Sequence, residues 1–284
     1  MIHVSDLRFS YPRAGGEALR GLGFEIARGE IFGFLGPSGA GKSTLQKILT
    51  GLLKGYQGRA EVLGRDLATW GNDYYERIGV AFELPTHFRR LTATENLAYF
   101  AALYRRRALA PQEALELVGL GEAAGMPVAE FSKGMQNRLS VARALLHGPE
   151  LLFLDEPTSG LDPVNARRIK ALVEQQRAAG ATVVLTTHNM AVAEELCDRV
   201  AFIVDGSIRL IDTPRALKLR YGQDSVRVEY AEAGATARAC FPLAGLGDNP
   251  GFLGLLRGGT VQTIHSQEAS LEEIFVRVTG RSLS

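Results

Sequence analysis

The chain has 284 residues, of which 46% are hydrophobic and 22% are charged, so it can bury a substantial core in one large domain or in a main domain and a small one. Its net charge of +1 gives no electrostatic case for a nucleic-acid or acidic partner. Cys197 and Cys240 stand in no metal-ligand spacing, which indicates the reduced thiols of a cytosolic protein. No window approaches the ~18–20 apolar residues of a membrane span, and the N-terminus lacks the apolar stretch of a signal peptide.

Short apolar runs alternate with helical segments through the first 210 residues or so, which predicts an α/β fold with parallel strands. Strands are predicted at 2–9, 23–26, 30–35, 78–82, 151–154, 182–186, 200–204 and 207–211. Helices are predicted at 41–53, 163–179 and 189–197, and the pattern from about 92 to 148 is helical with breaks at Pro111, Gly119 and Pro127.

The pattern changes near Thr213 and Pro214. Beyond that point, strands are predicted at 225–230, 235–241 and 260–265, and a last helix at 270–278 opens with a capping box of Ser270 and Glu273. We therefore expect a main domain at 1–215, with a helical subdomain inserted at about 86–150, and a small α+β appendage at 216–284.

A phosphate-binding loop follows the strand at 30–35. Residues 36–44 satisfy G-x-x-x-x-G-K-[ST] between a strand and a helix, and they are Gly36, Pro37, Ser38, Gly39, Ala40, Gly41, Lys42, Ser43 and Thr44. The backbone N–H groups of such a loop surround phosphates, and the following helix adds its dipole. We expect Lys42 to reach the β- and γ-phosphates, Ser43 to bind Mg²⁺ and Thr44 to donate to the α-phosphate.

Two carboxylates and a histidine follow the later buried strands. Asp155 and Glu156 end the apolar run 151–154, where Asp155 can hold Mg²⁺ and Glu156 can polarise an attacking water. His188 follows the strand at 182–186, which we expect to lie beside the Glu156 strand. An imidazole there can sense the γ-phosphate and orient the water, although a histidine after a strand can also be purely structural.

Two further positions predict contacts with a nucleotide. Tyr11 follows the first strand and can stack on adenine, the alternative being a surface aromatic. Ser132 is a candidate helix N-cap with Gly134 in the first turn, and a hydroxyl with free backbone N–H groups at a helix N-terminus forms an anion site. Because the helical lobe would separate this site from its own phosphate loop, it should bind the nucleotide held by another subunit.

At these residues the chain resembles the ATP-binding subunits of ABC transporters. Six motifs appear in order: the adenine-stacking Tyr11, Walker A at 36–44, the Q-loop I-G-V-A-F-E-L-P at 78–85, the signature F-S-K-G-M at 131–135, Walker B at 151–156 with the D-loop S-G-L-D at 159–162, and the switch histidine in T-T-H at 186–188. The resemblance implies a P-loop NTPase core and a head-to-tail homodimer with two ATP molecules at the interface. Each ATP would lie between the Walker A motif of one chain and the signature of the other, so Ser132, Gly134, Met135 and Asp162 also count as nucleotide contacts.

Two departures from the family pattern concern the site. Glu83 stands where the family usually has a glutamine that contacts Mg²⁺ and the membrane subunit. Glu83 keeps an oxygen ligand, so the expected metal ligands are Ser43, Glu83 and Asp155, but its added negative charge can strengthen Mg²⁺ binding or slow turnover. In the signature, usually L-S-G-G-Q, Lys133 and Met135 replace a glycine and the final polar residue, while Ser132 and Gly134 remain.

Three segments, two of them outside the six motifs, indicate which branch of this family the chain resembles. The segments at 91–100 and 131–135 and the tail at 271–280 resemble ATP-binding subunits of bacterial multidrug and antibiotic exporters. In that branch the permease is usually a separate chain, which implies an ATPase held at the cytoplasmic face of the cell membrane. One alternative is a soluble ABC ATPase acting on ribosomes or DNA. Another is a small-molecule P-loop kinase, in which the signature and D-loop would have no purpose.

Overall fold

A computed structural model describes residues 1–12, 16–84, 86–106, 108–221, 225–232, 235–267 and 269–281. The chain divides into two compact units, one formed by Met1–Thr213 and one that begins at Pro214. The first unit contains every motif residue named above. None of the described helices is long and apolar enough to cross a membrane.

The first unit contains ten strands and six α-helices among its described residues. The strands are β1 (Ile2–Ser10), β2 (Glu17–Ile26), β3 (Ile31–Leu35), β4 (Gln57–Val62), β5 (Arg65–Asp66), β6 (Ile78–Ala81), β7 (Leu151–Asp155), β8 (Thr182–Thr187), β9 (Arg199–Val204) and β10 (Ser207–Asp212). The helices are α1 (Lys42–Leu49), α2 (Ala93–Ala101), α3 (Pro111–Leu117), α4 (Lys133–Leu145), α5 (Pro163–Ala178) and α6 (Met190–Leu196).

A six-stranded sheet in the order β10-β9-β3-β8-β7-β6 positions the candidate site. All its pairings are parallel except that of β10 with β9. Strands β3, β7 and β8 are buried along their whole length, which explains why they read as continuous apolar runs. Because the carboxyl ends of parallel strands share one edge of a sheet, the segments after β3, β7 and β8 meet there.

A second, antiparallel sheet in the order β2-β1-β4-β5 forms part of the same core. Phe24 of β2 contacts Phe32 and Phe34 of β3, with ring centroids 6.3 and 5.0 Å apart. Helix α1 buries Leu45, Ile48 and Leu49 completely. This packing fixes the helix whose N-terminus closes the phosphate loop.

The segment predicted to be helical between 92 and 148 contains α2, α3 and α4. Helix α2 begins with a capping box in which Thr92 and Glu95 satisfy each other's backbone N–H groups. Helix α3 begins with Pro111 at its first turn, and α4 begins after Ser132, its N-cap. Helix α4 packs against β6, which brings the signature segment to the edge of the main sheet.

The second unit is an antiparallel sheet with three helices among its described residues. Its elements are α7 (Pro214–Tyr221), β11 (Ser225–Glu232), β12 (Ala235–Pro242), α8 (Pro250–Arg257), β13 (Val261–Gln267) and α9 (Leu271–Thr279), with strand order β12-β11-β13. Its buried apolar residues include Val226 and Val228 of β11 and Ile274 and Phe275 of α9. The predicted capping box of Ser270 and Glu273 is present at the start of α9.

Several predicted boundaries were wrong. Strand β2 begins six residues before the predicted start, because Gly21 and Gly23 interrupt its apolar alternation without ending the strand. Helix α1 ends at Leu49 and not at 53, because Gly51 has a φ of +75° that stops a helix. Helices α7 and α8 were not predicted at all.

Candidate active site

A cleft of about 600 Å³ lies at the carboxyl edge of β3, β7 and β8. It is lined by Tyr11, Ala18, Ser38, Gly39, Gly41, Lys42, Ser43, Thr44, Glu83, Asp155, Glu156 and His188. The cleft therefore brings together residues that the sequence predicted separately from five segments of the chain. Pro85, the last residue of the predicted Q-loop, lies outside the described residues.

The phosphate loop turns so tightly that two of its glycines cannot be replaced. A Cβ atom on Gly36 would lie 2.1 Å from the carbonyl oxygen of Ile203. Gly41 has a φ of +108°, and a Cβ there would lie 2.9 Å from Leu19 Cδ2. Gly36, Pro37 and Ala40 shape this turn without lining the cleft.

Lys42 carries the positive charge of the loop and is only 9% exposed. Its Nζ donates hydrogen bonds to the carbonyl oxygens of Gly36 at 2.6 Å and Pro37 at 2.9 Å. Burial lowers the pKa of Lys42, and the negative charges of Glu156, Asp155 and Glu83 oppose that shift. A buried ammonium group at this place can bind the phosphates of a nucleotide.

Asp155 is the last residue of β7 and is 6% exposed. Thr186 Oγ1 donates a hydrogen bond to its Oδ1. Burial raises the pKa of Asp155, and the charges of Glu83 and Glu156 raise it further, while the hydrogen bond from Thr186 lowers it. A cation beside Asp155 would relieve this repulsion among the three carboxylates.

The donor set of the cleft fits a small hard cation. Ser43 supplies a hydroxyl group, and Asp155 and Glu83 supply carboxylate oxygens. Among the described residues, no group of three or more His, Cys, Asp or Glu side chains could hold a metal ion. Mg²⁺ usually takes one or two carboxylates and completes its shell with substrate phosphates and water.

Glu156 has a left-handed backbone, with φ +48°, and a side chain that hydrogen bonds fix in place. Its Oε1 accepts from the His188 backbone N at 2.7 Å and lies 2.6 Å from His188 Nδ1, and its Oε2 accepts from Thr187 Oγ1 at 2.9 Å. The Glu156 side chain is 7% exposed, whereas that of His188 is 60% exposed. A fixed carboxylate next to an accessible imidazole can polarise and orient a water molecule.

Tyr11 stands at one side of the cleft with its ring held in place. Its OH lies 3.1 Å from Thr44 Oγ1, and its ring meets that of Phe9 edge-on at a centroid distance of 5.0 Å. The residue is 37% exposed. A fixed, accessible aromatic ring beside a phosphate loop can stack on a nucleotide base.

The predicted signature and D-loop contacts lie outside the cleft lining. Ser132 caps α4, its Oγ accepting from Met135 N at 3.2 Å. Asp162 caps α5, its Oδ1 accepting from the N–H groups of Val164 at 2.9 Å and Asn165 at 3.0 Å. The structure therefore gathers the phosphate loop, Asp155, Glu156 and His188 in one cleft and leaves Ser132, Gly134, Met135 and Asp162 outside its lining.

Sequence reasoning missed three residues that position Asp155 and Glu156, two through their carboxylates and one through the main chain. Thr186 binds Asp155, Thr187 binds Glu156, and Asn137 of α4 donates to the main chain at Glu156. The contacts of the two threonines could have been suspected from the sequence. Both end a strand and carry a hydroxyl group, and consecutive residues of a strand point to opposite faces, so each hydroxyl group can reach a different carboxylate. Nothing in the sequence indicates the contact of Asn137.

Two family models match the chain. One, described as ABC transporter, covers residues 19–159, and the other, described as the C-terminal domain of fluoroquinolone efflux ABC transporters, covers residues 224–268. A fluoroquinolones export ATP-binding protein of Mycobacterium tuberculosis is 55% identical over 285 aligned residues, which span 100% of this chain and 95% of that protein. An uncharacterized ABC transporter ATP-binding protein, YcbN of Bacillus subtilis, is 36% identical over 86% of this chain and 78% of its own length.

Solved structures of ATP-binding cassettes share the fold. The dimeric cassette MJ0796, in a post-hydrolysis state bound to ADP and Pi, matches with a TM-score of 0.69 and 27% identity over 75% of this chain and 98% of that one. An ATP-binding subunit of an ABC transporter matches with a TM-score of 0.69 and 29% identity over 78% of this chain and 92% of that one. The predicted family and the predicted P-loop fold are confirmed. The chain belongs to the ABC transporter family, in which it is an ATP-binding ATPase subunit.

Proposed function

We propose that the chain hydrolyses ATP to energise the export of an antibiotic through a separate membrane permease. The observation that carries the ATPase mechanism is the Glu156 carboxylate, fixed by Thr187 and His188 in the same cleft as Lys42 and Asp155. Export rests on the relative that is 55% identical over the whole chain and on the efflux-type C-terminal domain. These relatives point to fluoroquinolone-like drugs as cargo, which the permease would contact.

Each residue of the cleft has a role in this proposal. The loop 36–44 binds the phosphates of ATP, with Lys42 at the β- and γ-phosphates, and Tyr11 stacks on adenine. Ser43, Asp155 and Glu83 hold Mg²⁺, which supplies positive charge to the phosphates when bound. Thr186 holds the Asp155 carboxylate in position for this role.

Glu156 polarises the attacking water and accepts its proton, and His188 orients that water against the γ-phosphate. The donors from His188 and Thr187 keep the carboxylate in one orientation, which preorganises it to accept the proton. The accessible imidazole of His188 is free to contact the γ-phosphate, which makes hydrolysis depend on a correctly bound triphosphate.

We further propose that two copies of the chain complete the site. One chain contains a single phosphate loop and a single signature, and Ser132, Gly134 and Met135 do not line its own cleft. A two-fold homodimer would pair the loop of each chain with the signature of the other, and Asp162 would lie at the same interface. The likeness to a dimeric cassette supports this arrangement.

An apolar groove of about 280 Å³ in the first unit fits a permease contact. Its lining includes Leu52, Tyr75, Phe82 and Phe100, and Leu52 is 55% exposed. We propose that a short amphipathic helix of the permease docks in it at the cytoplasmic face of the membrane. Because Phe82 lines the groove and its neighbour Glu83 lines the cleft, a docked helix would act on the metal site directly.

Co-purification tests this proposal against the alternative of a soluble ABC ATPase on ribosomes or DNA. The tagged chain is expressed with the reading frames that flank its gene, a membrane protein among them being the expected partner, and isolated in detergent. We expect the two proteins to elute together, L52D to abolish the association, and the matched control L243D to retain it, since Leu243 is 47% exposed but lies in the second unit. Recovery with ribosomes or nucleic acid and without a membrane protein would contradict the proposal.

A further inference from the structure

Asn137 is a buried polar residue of the signature helix that contacts the catalytic segment of its own chain. It lies in the second turn of α4 and is 4% exposed. Its Nδ2 donates to the carbonyl oxygens of Glu156 at 3.3 Å, Pro157 at 3.4 Å and Ser159 at 3.2 Å. One side-chain amide, whose two hydrogens are shared among three acceptors, thus contacts three carbonyl groups of the segment 156–159 that leads from β7 into the D-loop.

These contacts fall where the backbone is strained. Glu156 has a φ of +48°, a left-handed conformation that is unfavourable for a residue other than glycine. Its N–H donates to Thr186 O at 2.9 Å, and its carbonyl accepts from Ser159 N at 3.0 Å as well as from Asn137. The surrounding hydrogen bonds therefore hold the peptide that aims the Glu156 side chain into the cleft.

Stability alone does not account for an asparagine at this position. Asn137 Oδ1 is buried and has no hydrogen-bond partner among the residues that the structure describes, and an unpaired buried acceptor is destabilising. An apolar side chain of similar size would avoid that cost. What it could not do is donate to the carbonyl group of Glu156.

The first turn of α4 contacts the same segment. A Cβ atom on Gly134 would lie 3.0 Å from the carbonyl oxygen of Gly160 and 3.2 Å from Leu161 Cδ2, so the signature backbone packs directly on the D-loop. Helix α4 therefore meets the segment 156–161 twice, through Gly134 and through Asn137. A shift of α4 would move this segment with it.

We propose that Asn137 is a positioning residue that ties the backbone of Glu156 to the signature helix of the same chain. Hydrolysis in the cleft of one chain then depends on the position of that chain's own signature helix, which holds the nucleotide of the other site. The inference rests on the proposed sites shared between two chains. It identifies the contact between Asn137 and Glu156 as the link through which one site affects the other.

The first test separates turnover from binding. N137L keeps the size of the side chain and removes its donor, so we expect kcat to fall about 10- to 100-fold, as for a misplaced catalytic group, while the KM for ATP changes less than about two-fold. N137Q, which retains an amide donor, should recover part of the rate. S140A is the matched control on the same helix: its hydroxyl bonds His87 and the carbonyl of Gln136, and its loss should leave kcat unchanged.

The second test locates the effect in one chain. In a heterodimer of K42A and S132R chains, the one sound site takes its phosphate loop and Glu156 from the S132R chain and its signature from the K42A chain. Adding N137L to the S132R chain should lower the remaining activity about 10- to 100-fold, whereas adding it to the K42A chain should spare most of it. The reverse pattern, or equal losses in both arrangements, would overturn the inference, because it would show that Asn137 supports the signature and not Glu156.

The outcomes remain distinct from a failure of the proposed function. If the wild-type chain hydrolyses ATP and N137L does so equally fast, only the role of Asn137 is refuted. If the wild-type chain does not hydrolyse ATP, the proposed function fails. If N137L does not fold, N137S replaces it, because a serine side chain is too short to reach all three carbonyl groups. Its kcat and its KM for ATP are then compared with those of the wild type in the same way.

Discussion

Replacing Glu156 by glutamine should stop ATP hydrolysis and leave the fold almost unchanged. The Glu156 side chain takes part in three hydrogen-bonding contacts, with the His188 N–H, His188 Nδ1 and Thr187 Oγ1. A glutamine can turn its carbonyl oxygen to His188 and its amide group to Thr187, whose hydroxyl can also accept. At most one hydrogen bond is then lost, about 0.5–1.5 kcal/mol.

The rate should fall far more than the stability. The amide cannot accept a proton from water, and loss of a general base costs about 10²–10⁴-fold in rate. Melting should shift by no more than about 6 °C, because 1 kcal/mol corresponds to roughly 2–4 °C in a domain of this size. ATP binding should persist, since the phosphate loop is unchanged. Because the bound ATP is not hydrolysed, it should keep two chains together, and the dimer should accumulate.

Phosphate release, thermal melting and size-exclusion chromatography with ATP measure these three effects. E174Q is the matched control, because Glu174 is an exposed carboxylate on α5. We expect it to hydrolyse ATP normally and not to accumulate the dimer. An E156Q protein that remains monomeric at saturating ATP and still hydrolyses it at the normal rate would refute the assignment of Glu156.

Three further changes probe other parts of the structure. K42A should weaken ATP binding at least about ten-fold by calorimetry, because a charge-assisted contact contributes about 1.5–3 kcal/mol, while K47A on the same helix should bind normally. E83Q should raise the Mg²⁺ concentration needed for half-maximal hydrolysis, since it removes a negative charge beside Asp155, and an unchanged titration would exclude Glu83 as a ligand. Hydrogen bonds from Arg77 lower the pKa of Glu150, so the stability that this pair contributes is present above pH 4.5 and lost as the pH falls through the lowered pKa. Acid melting of E150Q should therefore show a flatter loss of stability than the wild type.

The core strands and the phosphate loop could be predicted because their signals are local. Strands β3, β7 and β8 are buried on both faces and so consist of uninterrupted apolar residues. The loop requires glycines at the points where a side chain would collide with Ile203 or Leu19, and these glycines are visible in the sequence. Ser132 was recognisable as an N-cap because a serine stands immediately before a helical pattern. In the structure its hydroxyl group accepts a hydrogen bond from the N–H group three residues ahead.

The elements that were missed depend on tertiary contacts or on weak local signals. Helix α8 is only eight residues long, contains two glycines and buries none of its residues, and glycine and proline in a short segment favour a loop. The contact between Tyr11 and Thr44 joins residues 33 positions apart, and that between Asn137 and Glu156 joins residues 19 positions apart. No spacing rule predicts such pairs, because they arise only when the sheet brings separate segments to one edge.

The measurement that tests the account most directly is the ATPase activity of mixed mutant chains. K42A should lose phosphate binding and S132R should block the signature, so each mutant homodimer should be nearly inactive. When the two proteins are mixed, their heterodimers contain one site with both lesions and one site with an intact phosphate loop and an intact signature. We predict that partial activity returns on mixing and that it increases with protein concentration as heterodimers form. No recovery on mixing, together with a wild-type rate that is first-order in protein at all concentrations, would contradict a site shared between two chains.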